Sequence, residues 1–115
     1  FVRGTIPKPP GLQVFEGAMD FLSVAMECPE GKMEMDSIIL NSLSCLDKAT
    51  PFIKGYGYKV VQSWMDNDPA GQRARQSLDE FLKTEEGLEH CPMNEFYKGH
   101  KDVNDWHMHK LGLTP

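Results

Sequence analysis

The chain has 115 residues, of which 40% are hydrophobic and 25% are charged, and its net charge is −5 at pH 7. This length and composition indicate one modest globular domain, while the mildly acidic balance argues against nucleic acid as a partner, because phosphate binding needs clustered Lys and Arg. The longest apolar runs, such as residues 38–40, are far too short to cross a bilayer, so no transmembrane segment is expected.

The N-terminal segment 1–11 contains three prolines and two glycines. Proline removes a backbone donor and restricts the residue before it to extended conformations. We therefore predict an extended N-terminal arm rather than a core element.

Two helices are predicted in the next part of the chain. Apolar residues recur at three- and four-residue steps over 15–28, which places them on one helical face. Pro29 cannot continue that helix, and Gly31 supplies the turn that ends it. A second stripe with the same spacing predicts a helix over about 33–48.

Two further helices are predicted to begin at prolines. Thr50 and Asp68 are good N-cap residues, and each precedes a proline, which is tolerated at the first helical position. The third helix would span about 50–65, and the fourth would reach residue 86. The predicted fold is therefore all-α, a small antiparallel bundle of about four helices over 12–87.

The C-terminal segment 88–115 loses this periodicity and is predicted to be an arm with one short helix, from about Asp102 to Leu111. All four histidines and one of the three cysteines lie here, and imidazole and thiolate are common ligands of soft metals. Their spacing matches no known zinc pattern, so no metal site and no cofactor are expected. The weak metal-binding candidates are His90, Cys91, His100, His107 and His109.

The carboxylates are predicted to be solvated. Glu16 and Asp20 fall on predicted polar helix faces, and residues 66–68 (Asp-Asn-Asp) lie in a loop that lacks the glycine and distal glutamate of a calcium-binding loop. General acids usually need burial to raise their pKa, and nothing in the pattern turns two carboxylates inward. The Gly-Tyr-Gly run at 55–57 is not a phosphate loop. We therefore expect no catalytic residues and no enzyme activity.

The three cysteines, Cys28, Cys45 and Cys91, form no metal-binding or redox motif. Buried thiols in a reducing compartment are the favoured interpretation. A disulfide between Cys28 and Cys45, joining two neighbouring helices, is the alternative.

The two arms hold aromatic and aliphatic residues that have no periodic face of their own. Such residues gain stability by burial, so they are predicted to lie on another surface. The favoured function is a non-catalytic structural or accessory subunit of a larger protein assembly, which docks through its helical core and both arms. The predicted partner-binding residues are Phe1, Ile6, Phe96, Tyr97, Trp106, Leu111 and Leu113.

Two alternatives remain open at this point. The seven methionines would suit a small helical protein that binds a lipid or another apolar molecule. The C-terminal histidines would suit a metal-binding protein. Because the chain begins with Phe1 rather than Met, an organellar location after removal of a presequence is favoured, mitochondrial above others, with the cytoplasm as the alternative.

Overall fold

The structure is a computed structural model, and it describes residues 1–7, 9–41, 46–53, 57–85 and 87–112. These residues form an α/β fold with a four-stranded parallel sheet and four helices. The prediction of an all-α helical bundle is therefore wrong.

Strands and helices alternate along the chain. The strands are β1 (Gly11–Phe15), β2 (Asp36–Ile39), β3 (Val60–Trp64) and β4 (Glu89–Pro92). The helices are α1 (Ala18–Glu27), α2 (Leu46–Ile53), α3 (Pro69–Lys83) and α4 (Val103–Lys110). The strand order is β2-β1-β3-β4, and every pair of neighbours is parallel. None of these helices is long and apolar enough to cross a membrane.

Apolar layers cover both faces of the sheet. Parallel strands are joined by right-handed crossovers, so the helices that lead to β2 and to β4 lie on opposite faces. The layer beneath α2 and α3 is formed by Leu12, Val14, Ile38, Leu40, Ala49, Ile53, Tyr58, Val61, Met65, Ala74, Leu78 and Leu82. The layer beneath α1 and α4 is formed by Phe15, Val24, Met33, Trp64, Tyr97 and Val103.

This double coverage explains why the strands were predicted to be helical. All five residues of β1 are buried, Gln13 among them, so β1 lacks the alternation of buried and exposed positions that marks a strand with one solvated face. Short apolar runs of this kind cannot be distinguished from buried helical segments by periodicity alone. The predicted second helix contains β2, and the predicted third helix contains β3. Gly57, with a φ of 86°, adopts the left-handed backbone conformation that favours glycine, three residues before β3.

Local capping signals were more informative. The predicted fourth helix is confirmed as α3, where the Asp68 carboxylate accepts a 2.7 Å hydrogen bond from the N–H of Gly71, although the helix ends at Lys83. The predicted short C-terminal helix is confirmed as α4. Asp102 caps it by accepting a 2.8 Å hydrogen bond from the N–H of Asp105.

Both terminal segments pack against this chain itself. In segment 1–7, Val2 and Ser37 exchange two backbone hydrogen bonds of 2.7 Å, so the segment runs antiparallel to the edge strand β2. The C-terminal segment contributes β4 to the sheet and α4 to the layer that packs on α1. Both segments are therefore attached to their own chain, although five of their large apolar side chains stay exposed: Phe1, Val2, Ile6, Phe96 and Leu111.

Candidate functional site

The sheet has a switch point between β1 and β3. From β1 the chain crosses to β2 on one side, and from β3 it crosses to β4 on the other, so the connections leave in opposite directions. In open α/β sheets, ligands bind in the crevice outside the carboxyl ends of the strands at such a point. Phe15 and Trp64 are register partners at these ends, so the residues that follow each strand emerge side by side.

Four carboxylates converge at this crevice. Glu16 directly follows β1, Asp66 follows β3 after one residue, Asp20 lies in the first turn of α1, and Asp102 caps α4. Single oxygens of Asp20, Asp66 and Asp102 all lie within 4.8 Å of one another. Across the described ranges, no other three His, Cys, Asp or Glu residues lie this close together. The Glu16 carboxylate adjoins them through a 2.7 Å hydrogen bond from the N–H of Asp66 to Oε2. We call Glu16, Asp20, Asp66 and Asp102 the acidic cluster.

The segment that leads into α4 holds the loop after β3 in place. The hydroxyl of Tyr97, a fully buried residue, donates a 2.6 Å hydrogen bond to the carbonyl of Met65. Nδ2 of Asn94 donates to the same carbonyl at 3.0 Å. The N–H of Asn67 donates to the carbonyl of Lys101 at 2.6 Å. These bonds position Asp66 and bring Asp102 beside it.

Helix α3 fixes the other side of the same loop. A Cβ atom at position 71 would overlap the carbonyl oxygen of Asp66, so only glycine lets the first turn of α3 approach this backbone so closely. The Asp68 carboxylate is engaged as the cap of α3 and lies outside the close group of three carboxylates.

Burial and crowding raise the pKa values of two members of the acidic cluster, Asp20 and Asp66. Burial, followed by the hydrogen bond and the charge of Glu16, raises the pKa of Asp66 to about 8. Burial and the charge of Asp102 raise the pKa of Asp20 to about 6, against the lowering effect of hydrogen bonds from the N–H groups of Asn104 and Gly17. Carboxylates that lie so close together disfavour one another's ionised form. A bound cation would relieve this repulsion, and carboxylate oxygens suit hard divalent cations such as Mg²⁺ and Mn²⁺.

Comparison with known proteins identifies the family. A family model described as Toprim-like matches residues 13–107. The chain belongs to the Toprim-like family. Its fold is similar to that of a small TOPRIM domain protein from Bacillus stearothermophilus, with a TM-score of 0.52 and 20% identity over 98% of this chain and 85% of that chain. The sequence matches none of the curated proteins with which it was compared.

The Toprim-like family and fold overturn the first interpretation of function. A non-catalytic accessory subunit built on a helical bundle is wrong, because the core is a parallel sheet with an acidic cluster at its switch point. The helical lipid-binding alternative required the same bundle and is abandoned with it. The predicted organellar location and membership of a larger complex find no support in the fold or the family.

The C-terminal histidines of the Toprim-like domain contact separate partners. His90 lies between Asp79, at 3.0 Å from Nδ1, and Ser63, at 2.8 Å from Nε2. His100 pairs with Asp105 at 3.0 Å, and His107 pairs with Glu27 at 2.8 Å.

The two remaining metal candidates do not complete a histidine site. Cys91 is exposed, and the ring of His109 lies 5.3 Å from that of His100. Within the described residues, the structure does not bring three of the five candidates together, so the histidine-based metal protein is not supported.

The predicted partner-binding residues occupy different environments. Tyr97 is fully buried in the layer beneath α1 and α4, and Trp106 is partly buried against the same layer. Leu113 and Cys45 lie outside the described residues. The predicted Cys28–Cys45 disulfide therefore lies outside them too. About half of each remaining side chain is exposed, and binding to a partner stays a prediction for them: Phe1, Ile6, Phe96 and Leu111.

The acidic cluster was missed by sequence reasoning. Glu16 and Asp66 each follow a short, mainly apolar run, at residues 11–15 and 60–65, which is the sequence signal of residues at the carboxyl ends of buried parallel strands. Interpreting those runs as helices placed Glu16 and Asp20 on a polar face and hid the signal. Asp102 carries no such signal, because the tertiary fold alone brings α4 to this edge of the sheet.

Proposed function

We propose that this Toprim-like domain binds a divalent cation at the acidic cluster and hydrolyses phosphodiester bonds of nucleic acid. The observation that carries the proposal is the approach of Asp20, Asp66 and Asp102 to within 4.8 Å at the switch point of the sheet. Toprim domains are often found in nucleases, which break phosphodiester bonds, and in primases, which form them.

The donor set fits a hard cation. The site offers three close carboxylates, those of Asp20, Asp66 and Asp102. Burial and, after it, the neighbouring carboxylates raise the pKa values of Asp20 and Asp66, and a cation would offset the repulsion between these carboxylates. When bound, a divalent cation supplies Lewis-acid stabilisation of the charge that develops on a phosphoryl group.

Glu16 is the best-placed general base. It is half-buried at the border of the acidic cluster, and the N–H of Asp66 fixes one of its carboxylate oxygens at 2.7 Å. A carboxylate held in this way can orient a water molecule and accept its proton. Because Glu16 and Asp66 follow neighbouring strands, the base and a cation ligand keep a fixed relative position.

This proposal departs from two expectations drawn from the sequence. The expectation of no enzyme activity rested on the absence of a recognisable catalytic motif, and the expectation of no nucleic-acid binding rested on the net charge. The second expectation used the net charge of the whole chain and did not consider where the acidic residues lie. Four of its 17 acidic residues are gathered in the acidic cluster, where a cation would offset their charge.

A cleavage assay tests the proposal. Fluorescently labelled single-stranded and duplex DNA and RNA are incubated with the protein in Mg²⁺, in Mn²⁺ and in EDTA, and the products are separated by size. We expect metal-dependent cleavage that Glu16→Gln reduces about 100-fold or more, the usual scale of loss for a general acid or base. Asp66→Asn should abolish cleavage, because it removes a cation ligand. The matched control is Asp47→Asn, which neutralises an exposed carboxylate on α2.

Isothermal titration with Mn²⁺ separates cation binding from cleavage. We expect one cation site that Asp102→Asn weakens and Asp47→Asn leaves unchanged. If the wild-type protein neither binds Mn²⁺ nor cleaves any of the four substrates, the proposal is wrong.

A further inference from the structure

A groove of about 580 Å³ lies beside the acidic cluster, between the first turns of α3 and the segment 94–101. Three cationic side chains line it: Arg75 from α3, and Lys98 and Lys101 from the segment before α4. Glu95 is the carboxylate among its lining residues, so three cations face one anion. We call this the basic groove.

The cations of the basic groove are available for a ligand. Among the described residues, the lysines that form ion pairs are Lys32, Lys83 and Lys110. None of the three cations of the basic groove forms an ion pair with a described carboxylate. Lys98 and Lys101 are exposed, and Arg75 is half-buried. In a chain with 12 Lys and Arg residues and a net charge of −5, the gathering of three unpaired cations in one groove is a local reversal of charge.

The basic groove adjoins the acidic cluster. Asn67 lines the groove and directly follows Asp66, while Lys101 lines the groove and directly precedes Asp102. The backbone hydrogen bond of 2.6 Å from Asn67 to Lys101 joins these two segments. A polyanion with one phosphate at the acidic cluster would therefore continue into a groove lined with cations.

We propose that the basic groove binds the phosphodiester backbone of a single nucleic-acid strand next to the phosphate held at the acidic cluster. This inference rests on the proposed function, because it assigns the adjoining strand to a substrate of that site. Arg75, Lys98 and Lys101 would contact phosphates and so position the strand without reading its sequence. The binding would weaken with salt, because each neutralised phosphate releases condensed counterions.

Fluorescence anisotropy with a labelled 20-nucleotide oligo(dT) strand in Ca²⁺ tests the groove by binding alone. The Lys98→Gln/Lys101→Gln variant should bind about tenfold or more weakly than wild type at 0.1 M salt. Its slope of log K against log salt should be shallower by about 1.4, from about 0.7 per lost single-strand contact. Arg75→Gln should lower the slope by about 0.7.

The matched control is Lys32→Gln/Lys59→Gln, which removes the same charge at exposed positions that do not line the groove. Equal affinities and equal salt slopes in the two double variants would overturn the groove proposal. The two proposals fail separately: wild-type protein that cleaves DNA while the groove variant binds normally refutes the groove alone. Wild-type protein that neither binds a cation nor cleaves, while only the groove variant loses DNA binding, refutes the proposed reaction alone.

Discussion

The backbone N–H of Asp66 donates a 2.7 Å hydrogen bond to Oε2 of Glu16, and this bond joins the carboxyl ends of two neighbouring parallel strands. The position of the Glu16 carboxylate therefore depends on the loop after β3, which carries Asp66. A displacement of the loop after β3 therefore moves a proposed cation ligand and the proposed base together.

Asp66→Asn should stabilise the metal-free protein while it abolishes cation binding. The pKa of Asp66 is raised from 3.8 to about 8, so the folded protein holds this proton more tightly than the unfolded chain. The ionised carboxylate costs stability increasingly as pH rises from about 4, and the cost levels off above about 8. After allowance for partial exposure we expect a gain of about 1 kcal/mol at pH 8, or roughly 4 °C in Tm.

Thermal unfolding in EDTA at pH 4, 6 and 8 checks this expectation. The difference between Asp66→Asn and wild type should be near zero at pH 4 and largest at pH 8. A lower Tm for the variant at pH 8 would contradict it, and Asp47→Asn serves as the control for loss of an exposed carboxylate.

Gly71→Ala should destabilise the protein by about 1–3 kcal/mol, the range for side chains forced into filled space. The added methyl group would overlap the carbonyl oxygen of Asp66, so α3 or the loop must shift. Urea unfolding measures the loss, and Mn²⁺ titration should show weaker binding in the same variant. Gln76→Ala, at an exposed position of α3, controls for helix propensity; equal stabilities of the two variants would refute the close approach.

Tyr97→Phe should cost about 1 kcal/mol, because it removes a buried hydrogen bond to the carbonyl of Met65. That carbonyl keeps its bond from Asn94, which limits the loss. As Tyr97 is a positioning residue, we also expect Mn²⁺ affinity to fall by about tenfold, as for groups that orient metal ligands. A variant with unchanged Mn²⁺ affinity would show that the hydroxyl serves stability alone.

Glu27→Gln should loosen the attachment of α4 to α1. Glu27 accepts hydrogen bonds from Lys110 at 2.7 Å and lies 2.8 Å from the ring of His107, and Lys110 chiefly keeps the pKa of Glu27 below its usual value. A lowered pKa contributes stability at neutral pH that is lost as pH falls through the folded-state value. The pair is exposed, so we expect a loss of at most about 1 kcal/mol at pH 7.

Chemical unfolding of Glu27→Gln and wild type at pH 7 and below pH 4 tests the sign of this effect. The two proteins should differ at pH 7 and converge in acid. A difference that grows in acid would refute the assignment. Glu30→Gln, at an exposed position in the turn after α1, is the control.

Helices α3 and α4 could be predicted from the sequence, because their capping residues lie within the helix or next to it. The strands could not, because their burial depends on contacts made only in the folded chain. Asp68 with Pro69, and Asp102 before an eight-residue helix, encode their helix starts within a few residues. Residues 11–15 and 60–64 are covered on both faces by helices from different parts of the chain, so their mainly apolar sequences resemble helical stripes. Recognising the site required those strands first, because Glu16 and Asp66 become neighbours only through strand pairing.

The pairing of Val2 with Ser37 has a consequence for association between molecules. An unpaired edge strand is a template on which another chain can add a strand. Residues 1–7 occupy that position along β2, so a second molecule could extend the sheet there only by displacing them. At the opposite edge, β4 is four residues long and ends in Pro92, which has no N–H to donate. Residues 1–7 at one edge and the short, proline-ended β4 at the other thus both oppose the addition of a strand from another molecule.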